Sequence, residues 1–250
     1  MCGRYATTRS SADLSALFDA DDDTGDGLEP DYNVAPTDPV PIVRISRSAS
    51  ADPAGARVLS RVRWGLVPSY AKDTKGGARL INARAETVMK SGAFSPSFQK
   101  RRCLVPADGW YEWFKRGPKD KQPYFMTDPD GDVLAFAGLW SVWGPKDGQS
   151  DERVLSCCVL TTAAVGDLAV VHDRMPLILP RDRWDDWLTL DPADAERLLE
   201  PSEQLVERLE IRPVGARVGD VRNDGPSLIE RVEAPLPTAS TPDRADLTLF

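Results

Sequence analysis

The sequence predicts a single α+β domain with many short, mostly antiparallel strands and short helices at its periphery. Three observations favour this fold class. Apolar runs of strand length recur at short spacing through the middle of the chain. Helical patterns are few and brief, and no internal repeat or long linker divides the 250 residues. A chain of this length is large enough to bury a sizeable core as one domain.

Helical patterns occur near both ends of the chain. Ser10 and Ser11 are typical capping residues for a short helix that ends at Phe18. Three later stretches also have helical patterns, namely 162–171, 181–188 and 192–199.

Strand patterns cover most of the sequence between these helices. Strands are expected over 40–45, 58–64, 103–105, 110–114, 124–127, 133–140, 154–161 and 205–214. Prolines open the segment 40–45, which indicates an edge strand. The nearly continuous apolar run 154–161 is typical of a strand buried on both faces. The acidic segment 21–27 predicts a solvated loop, and the tail 230–250 has a composition typical of disorder.

The composition excludes several classes of protein. No apolar run approaches the roughly 20 residues that cross a bilayer, and the first residues lack the apolar centre of a signal peptide. Four cysteines in a chain of this size do not form a disulfide framework. We therefore expect a cytoplasmic protein with no membrane partner, located on the nucleoid if the organism is bacterial.

Charge is distributed unevenly along the chain. The formal net charge is −8, which argues against a protein whose whole surface binds nucleic acid. Residues 61–116 nevertheless hold 12 basic and 4 acidic side chains, a local balance of +8. This segment indicates one anion-facing surface, although ordinary variation of charge along a solvated chain is an alternative.

Cys2 offers unusual chemistry because it follows the initiator methionine. Removal of Met1 would place an α-amine, with an ordinary pKa of roughly 8, beside a thiol with an ordinary pKa of roughly 8.5. Such an amine can condense with an aldehyde to an imine, and the thiol can then close a five-membered thiazolidine ring. The N-terminal amine can also serve as a base for its own side chain. An ordinary residue at an irregular terminus is the alternative interpretation.

Three further residues have functional and structural interpretations. His172 is the only histidine, so any imidazole proton transfer falls to it, but a hydrogen-bonded loop histidine is equally consistent. Glu112 lies between aromatics, which suits a proton donor, or it points outward from a strand. Asn82 could orient a reacting group or cap a short helix. One histidine and no Cys-x-x-Cys pair predict no metal or cofactor.

Seven motifs occur in one order along the chain. They are Met-Cys-Gly-Arg-Tyr at 1–5, Tyr-Asn-Val-Ala-Pro at 32–36, Trp-Gly-Leu-Val-Pro at 64–68, Ile-Asn-Ala-Arg-Ala-Glu-Thr at 81–87, Arg-Cys-Leu-Val-Pro at 102–106, Gly-Trp-Tyr-Glu-Trp at 109–113 and His-Asp-Arg-Met-Pro at 172–176. Together they resemble the SRAP family (SOS response-associated peptidase), the abasic-site processing proteins. The resemblance runs from residue 1 to about residue 229 and implies an SRAP-type fold over 2–229.

The resemblance implies a DNA-repair function. Family members sense abasic sites in single-stranded DNA, crosslink to them through the N-terminal cysteine as a thiazolidine, and shield them during replication. They are also implicated in removing their own initiator residue, so the resemblance implies an SRAP-type peptidase and lyase, with autoproteolytic removal of Met1 and crosslink formation at abasic sites. Carried onto this chain, Cys2 is the nucleophile and Glu112 the acid and base that opens the sugar. His172 assists imine proton transfer and reversal, and Asn82 holds the amine and the linkage.

The resemblance also implies a DNA-binding surface. Its residues would be Gly3, Arg4, Asn33, Tyr70, Arg84, Trp113, Thr161 and Arg174. The arginines would bind phosphates, and the two aromatic rings would stack on bases. Tyr70 stands near the position where the family often has tryptophan, and the segment 71–78 is longer than usual. The implied partners are single-stranded DNA with abasic sites and replication-fork proteins, bound by a monomer.

Two other classes of function compete with this hypothesis. Cys2 could instead be the nucleophile of a cysteine peptidase that acts on peptides, which would require turnover of an added peptide. A noncatalytic DNA-binding module, in which Cys2 is incidental, would keep its function when Cys2 is replaced.

Overall fold

The structure, a computed structural model, describes residues 2–46, 55–117, 120–145 and 153–235. The strands of these residues are β1 Tyr5–Thr7, β2 Asp21–Asp23, β3 Asp31–Val34, β4 Pro39–Ser46, β5 Ala56–Trp64, β6 Asn82–Arg84, β7 Arg102–Ala107, β8 Gly109–Lys115, β9 Lys121–Thr127, β10 Leu134–Trp143, β11 Val154–Ala163, β12 Arg174–Pro176 and β13 Glu210–Pro213. The α-helices are α1 Ser11–Phe18, α2 Ser95–Lys100, α3 Leu168–Val171, α4 Trp184–Thr189, α5 Pro192–Ala195 and α6 Glu203–Glu207.

Five strands close into a barrel-like ring. Antiparallel pairings join β5 to β4, β4 to β7, β7 to β10 and β10 to β11. A short parallel pairing of β11 with β5, at Arg63 with Ser156 and Trp64 with Cys157, completes the ring. The strand β2 extends this sheet beside β5, and β6 and β12 attach to β11. The predicted fold class, a single β-rich α+β domain with short helices, is confirmed.

A second sheet, in the order β13-β9-β8-β1-β3, packs against the barrel. Tyr5, Trp64, Trp110 and Phe136 lie in the core between the two, all with less than 2% of their surface exposed. The Tyr5 ring meets the Trp64 ring edge-on, with centroids 5.1 Å apart. Such pairs contribute about 0.5–1.5 kcal/mol beyond the burial of their area. The N-terminal strand is therefore held tightly against the barrel.

Several predicted elements are confirmed with small shifts of their ends. The helix α1 begins after Ser10, whose hydroxyl accepts a hydrogen bond of 3.1 Å from the backbone N–H of Asp13. The helical stretch predicted over 181–188 is a 3₁₀ turn, Arg181–Arg183, followed by α4. The stretch 192–199 is α5 followed by the 3₁₀ turn Glu196–Leu199.

The expectation of an edge strand over 40–45 is wrong. The strand β4 pairs with β5 along its whole length, and Val43 and Arg44 also pair with β7 on the other side. Pro39 and Pro41 fall in the half that pairs with β5 alone. The missing proline N–H groups therefore cost no hydrogen bond to β7.

Three other segments differ from expectation. Within 21–27, residues Asp21–Asp23 form β2 instead of a loop, because they pair with β5 in parallel. Only residues 168–171 of the predicted helix 162–171 are helical, since residues 162 and 163 extend β11. The predicted strand 205–214 begins as α6, whose Val206 is buried in the core, and only its second half is β13.

The C-terminal segment remains attached as far as the structure describes it. The backbone N–H of Val232 donates to the carbonyl of Pro213 at 2.9 Å, and the Tyr124 hydroxyl donates to the carbonyl of Pro235 at 2.6 Å. Residues 236–250, most of the predicted disordered tail, lie outside the described residues. The domain boundary at residue 229 stays a prediction. No helix in the described part of the chain has the length and apolar character needed to span a membrane.

Candidate functional site

Cys2 lies beside the start of the second sheet. The backbone N–H of Tyr111 in β8 donates to the carbonyl of Arg4 at 2.9 Å, and Tyr5 pairs with Trp110. Continued one step outward, this antiparallel register places Gly3 opposite Glu112 and Cys2 just beyond it. The Glu112 carboxyl is close enough to the Cys2 thiol to raise its pKa. The Cys2 side chain is fully buried in the core between sheet and barrel.

Asn82 reaches the same point from the barrel. The carbonyl of Ile81 accepts hydrogen bonds from the Trp64 indole N–H at 3.0 Å and from the backbone N–H of Val159 at 2.9 Å. These two bonds hold the start of β6 against the barrel. The amide Nδ2 of Asn82 then donates to the carbonyl of Cys2 at 2.7 Å. Asn82 therefore lies in a strand and bonds Cys2, so the capping interpretation is wrong.

Glu112 faces Cys2 because of strand alternation in β8. Trp110 packs in the core that contains Cys2, whereas Tyr111 packs in a separate cluster on the opposite face of the sheet. Glu112 lies two residues after Trp110, so its side chain points to the same face of β8, and only 6% of its surface is exposed. The outward-facing alternative is wrong. Burial raises the pKa of the Glu112 carboxyl, and the nearby His172 acts in the opposite direction.

The Cys2 thiol is protonated while it is buried in this way. Burial raises the pKa of the thiol, and the negative charge of Glu112 raises it further. In a chain that retains Met1, the nitrogen of Cys2 is a peptide amide and not an amine. Loss of Met1 would convert this amide nitrogen into an α-amine beside the thiol.

His172 lies at the end of α3, a helix that packs its buried Leu168 and Val171 against the same core. The backbone N–H of Arg174 donates to the His172 Nδ1 at 3.0 Å, and Asp173 Oδ1 lies 2.7 Å from the same nitrogen. A neutral ring that accepts the Arg174 bond carries its proton on Nε2. A protonated ring donates from Nδ1 to Asp173 instead. The arrangement can thus hold the imidazole in either protonation state.

A cluster of charged residues borders the site along β6, β11 and β12. The guanidinium of Arg174 donates to both carboxylate oxygens of Glu86, at 2.5 and 3.0 Å, and to the carbonyl of Thr161 at 2.5 Å. Arg84 pairs with Thr161 across the parallel ladder, and its side chain is exposed. No ion pair of Arg84 occurs within the described residues, so its charge faces solvent.

Two predicted DNA-binding residues are engaged inside the protein. The Nη2 of Arg4 donates to Asn33 Oδ1 at 2.6 Å and to the carbonyl of Val218 at 2.8 Å. Arg4 is 9% exposed and Asn33 3%. In the described state, both residues tie β1 and β3 to the segment near residue 218. Their contact with phosphate stays a prediction.

The two predicted aromatic contacts lie in different environments. Tyr70 is 57% exposed in the turn after β5, and the Trp143 indole N–H donates to the neighbouring carbonyl of Ala71 at 2.9 Å. Trp113 is half-buried and packs against the cluster that contains Tyr111, on the face of β8 opposite Glu112. Gly3 is half-buried beside Cys2. Base stacking by the two rings stays a prediction.

The sequence reasoning assigned no role to Glu86 or Asp173. Glu86 follows Asn82 and Arg84 in the same motif, but its pairing with Arg174 spans 88 residues and leaves no trace in local spacing. Asp173 is adjacent to His172, and an acidic neighbour of a lone histidine was a signal that could have been used.

The family can now be identified. A family model described as "SOS response associated peptidase (SRAP)" matches residues 1–221. The chain belongs to the SRAP family.

Curated relatives share this family and a common name. The chain is 34% identical over 234 residues to "Abasic site processing protein YoqW" of Bacillus subtilis, covering 92% of this chain and 99% of that protein. It is 31% identical to "Abasic site processing protein YedK" of Escherichia coli, covering 93% and 100%. It is 30% identical to "Abasic site processing protein HMCES" of Gallus gallus, covering 95% and 80%.

Solved structures have the same fold. A crystal structure of a protein from Bacteroides thetaiotaomicron matches with a TM-score of 0.76 and 22% identity, over 93% of this chain and all of that one. A protein from Bordetella bronchiseptica matches with a TM-score of 0.68 and 26% identity, over 86% of this chain and all of that one.

Proposed function

We propose that this protein captures abasic sites in single-stranded DNA by a covalent bond to Cys2 and so shields them during replication. One observation carries the proposal: Asn82 bonds the Cys2 carbonyl, the Glu112 carboxyl acts on the Cys2 thiol, and His172 acts on Glu112, although the three come from distant parts of the chain. The names of the curated relatives, abasic site processing proteins, support the same substrate.

The chemistry balances without an oxidant or a metal. Ring opening of the abasic deoxyribose exposes an aldehyde at C1′. The α-amine of Cys2 adds to this carbon, and loss of one water forms the imine. The thiol then adds to the imine carbon, forming a C–S bond, and its proton passes to the nitrogen. The product is a thiazolidine, and only water is released.

Three side chains have separate roles in these steps. Glu112, whose pKa is raised by burial, donates a proton to the ring oxygen O4′ as its bond to C1′ breaks, and the C1′ hydroxyl gives up its proton to water, which opens the sugar to the aldehyde. His172 moves protons during imine formation and its reversal, using the two states of its Nδ1 contacts. Asn82 is a positioning residue, because its bond to the Cys2 carbonyl orients the amine and the thiol toward one carbon.

Loss of Met1 is the activating step. Hydrolysis of the bond between Met1 and Cys2 consumes one water and converts the amide nitrogen into the amine that attacks the aldehyde. Self-processing at this site accounts for the peptidase name of the family. An aminopeptidase that removes methionine before a small residue is the other route to the same product.

We propose a DNA surface centred on the exposed Arg84 and on Arg174, with Arg4, Tyr70 and Trp113 as further contacts. Arginine forks bind phosphate oxygens, and aromatic faces stack on bases. Single strands fit this arrangement because the reacting sugar must reach a buried thiol. A monomer suffices for this function, with replication-fork proteins as partners and a location on the chromosomal DNA.

Intact mass spectrometry tests the proposal directly. The purified chain is measured alone, with a single-stranded oligonucleotide that holds one abasic site, and with the same oligonucleotide lacking the lesion. We expect the mass of the chain without Met1, and with the abasic strand a further gain equal to the oligonucleotide minus one water. Cys2→Ala is the matched control and forms no thiazolidine adduct.

Three results would contradict the proposal. These are an abasic-dependent adduct of Cys2→Ala that survives heating without a reductant, no adduct in the wild-type chain after loss of Met1, or steady cleavage of an added peptide by Cys2. The last result would instead support the cysteine peptidase.

A further inference from the structure

The Arg174 guanidinium is already occupied by an anion. Its Nη1 and Nη2 donate to the two carboxylate oxygens of Glu86 at 2.5 and 3.0 Å, which is the two-pronged geometry that arginine also uses for phosphate. The same Nη2 donates to the carbonyl of Thr161 at 2.5 Å. Glu86 therefore covers the donors that a DNA phosphate would need.

The two partners of Arg174 differ in how easily they can leave. Thr161 is fully buried in β11 and its carbonyl belongs to the backbone. The Glu86 side chain is 49% exposed and projects from a short 3₁₀ turn, Ala85–Thr87. A half-exposed carboxylate regains hydration when it leaves the ion pair, and two oxygens of an incoming phosphate can replace both of its hydrogen bonds to Arg174. Arg174, whose side chain is 14% exposed, stays in place on its backbone partner.

The charges at this edge indicate competition. The hydrogen bond from Arg174 lowers the pKa of Glu86, and the charge of the nearby Arg84 lowers it further. Glu86 is thus ionised at neutral pH and offsets one of two positive charges next to the site of Cys2 and Asn82. Arg84, Glu86 and Arg174 thus form one group of interacting charges, in which the carboxylate of Glu86 occupies Arg174.

We propose that the Glu86 carboxylate is an internal substitute for a DNA phosphate. It keeps the Arg174 guanidinium in a phosphate-binding orientation until a phosphate of an arriving strand displaces it. The inference rests on the proposed function, because it assumes that the ligand is single-stranded DNA. Glu86 weakens binding to every strand by the same competition. Strands without a lesion then dissociate, whereas an abasic strand is retained by its covalent bond to Cys2.

Binding of a lesion-free single-stranded oligonucleotide tests the role of Glu86 without any covalent step. Fluorescence anisotropy over a series of salt concentrations compares the wild-type chain with Glu86→Gln. We expect the variant to bind roughly 5- to 10-fold tighter at low salt. The slope of log K against log salt should steepen by about 0.7, because the variant complex lacks the displaced Glu86 carboxylate, whose charge offsets about one neutralised phosphate in the wild-type complex.

Glu200→Gln is the matched control. Glu200 lines the same surface cavity as Glu86 and is exposed, and its replacement changes the net charge equally without touching Arg174. We expect its salt slope to equal that of the wild-type chain. A double variant, Glu86→Gln with Arg174→Gln, should lose the gain of the single variant, because the freed fork is gone.

Each contrary outcome has a defined meaning. If Glu86→Gln binds no more tightly than the wild-type chain and has the same salt slope, competition is contradicted. Glu86 is then a residue that positions Arg174. A gain that persists in the double variant, or that Glu200→Gln reproduces, also contradicts it. A wild-type chain with no affinity for single strands contradicts the proposed function and the competition together.

Discussion

The amide Nδ2 of Asn82 and the carbonyl oxygen of Cys2 lie 2.7 Å apart, and this hydrogen bond joins the N-terminal segment to the barrel. Eighty residues of chain separate the two partners. The bond fixes the backbone carbonyl of Cys2 and engages neither its side chain nor its nitrogen. In the proposed reaction, it orients these two groups.

Asn82→Ala removes the amide that donates a hydrogen bond to the Cys2 carbonyl. We expect crosslinking to slow about 5- to 10-fold, since a hydrogen bond contributes about 1 kcal/mol and 1.4 kcal/mol corresponds to tenfold in rate. Affinity for lesion-free single strands should not change. Single-turnover crosslinking on a denaturing gel measures the rate, and anisotropy measures the affinity. An equal loss in both would show that Asn82 has no positioning role.

Cys2→Ser keeps the α-amine but replaces the thiol by a hydroxyl, a weaker nucleophile toward the imine. We expect an adduct that is trapped by borohydride reduction yet lost on heating without it. Denaturing gels with and without the reductant separate the two outcomes. A heat-stable adduct of Cys2→Ser without reductant would contradict ring closure by sulfur.

Glu112→Gln removes the proposed proton donor and preserves the shape of the side chain. General acid catalysis contributes about 10²–10⁴-fold, so we expect at least a roughly 100-fold slower reaction with an abasic strand. Glu203→Gln, an exposed glutamate in α6, is the matched control and should react at the wild-type rate. A wild-type rate in Glu112→Gln would assign the proton transfer to another group.

The same variant has a distinct dependence of stability on pH. Because burial raises the pKa of Glu112, the folded chain holds this proton more tightly than the unfolded chain. This stabilisation is complete below the ordinary carboxyl pKa and is lost as the pH rises through the raised value. Raising the pH from about 4 to about 8 should therefore lower the melting temperature of the wild-type chain more than that of Glu112→Gln. Thermal unfolding at a series of pH values measures the difference. Parallel curves would contradict the burial of this carboxyl.

His172→Gln removes the imidazole that accepts the Arg174 N–H at 3.0 Å. We expect imine formation and crosslink reversal to slow on the order of 100-fold, because glutamine cannot transfer a proton at neutral pH. Asp167→Asn is the control, since Asp167 is an exposed acidic residue before α3 whose side chain makes no cap hydrogen bond. Its rate should remain within about twofold of wild type. Reversal is followed by transfer of the protein to a second abasic strand.

Arg84→Ala removes an exposed charge at the edge of the site. We expect weaker binding of lesion-free single strands and a salt slope that is shallower by about 0.7, the loss of one phosphate contact. Arg61→Ala, at an exposed position on β5, changes the net charge equally and serves as the control. If both variants weaken binding to the same extent, the effect of Arg84 is one of net charge alone.

Much of the fold was predictable because its signals are local. The apolar run 154–161 and the alternating run 58–64 indicated the strands β11 and β5, which together close the barrel. Ser10 indicated the start of α1 through a contact of its own side chain. Strands of three or four residues, such as β6 and β12, are too short for alternation to show, and pairing with β11 alone keeps them extended.

The sequence by itself determined the family, the candidate residues and the chemistry open to a cysteine behind Met1, since these depend on residue identity and order. Tertiary structure alone decided that Glu112 faces inward, that Asn82 bonds Cys2, and that Arg4 and Arg174 already have partners. Each of these facts depends on strand pairing or on contacts between residues 29 to 88 positions apart. Such contacts have no local sequence pattern from which they could be predicted.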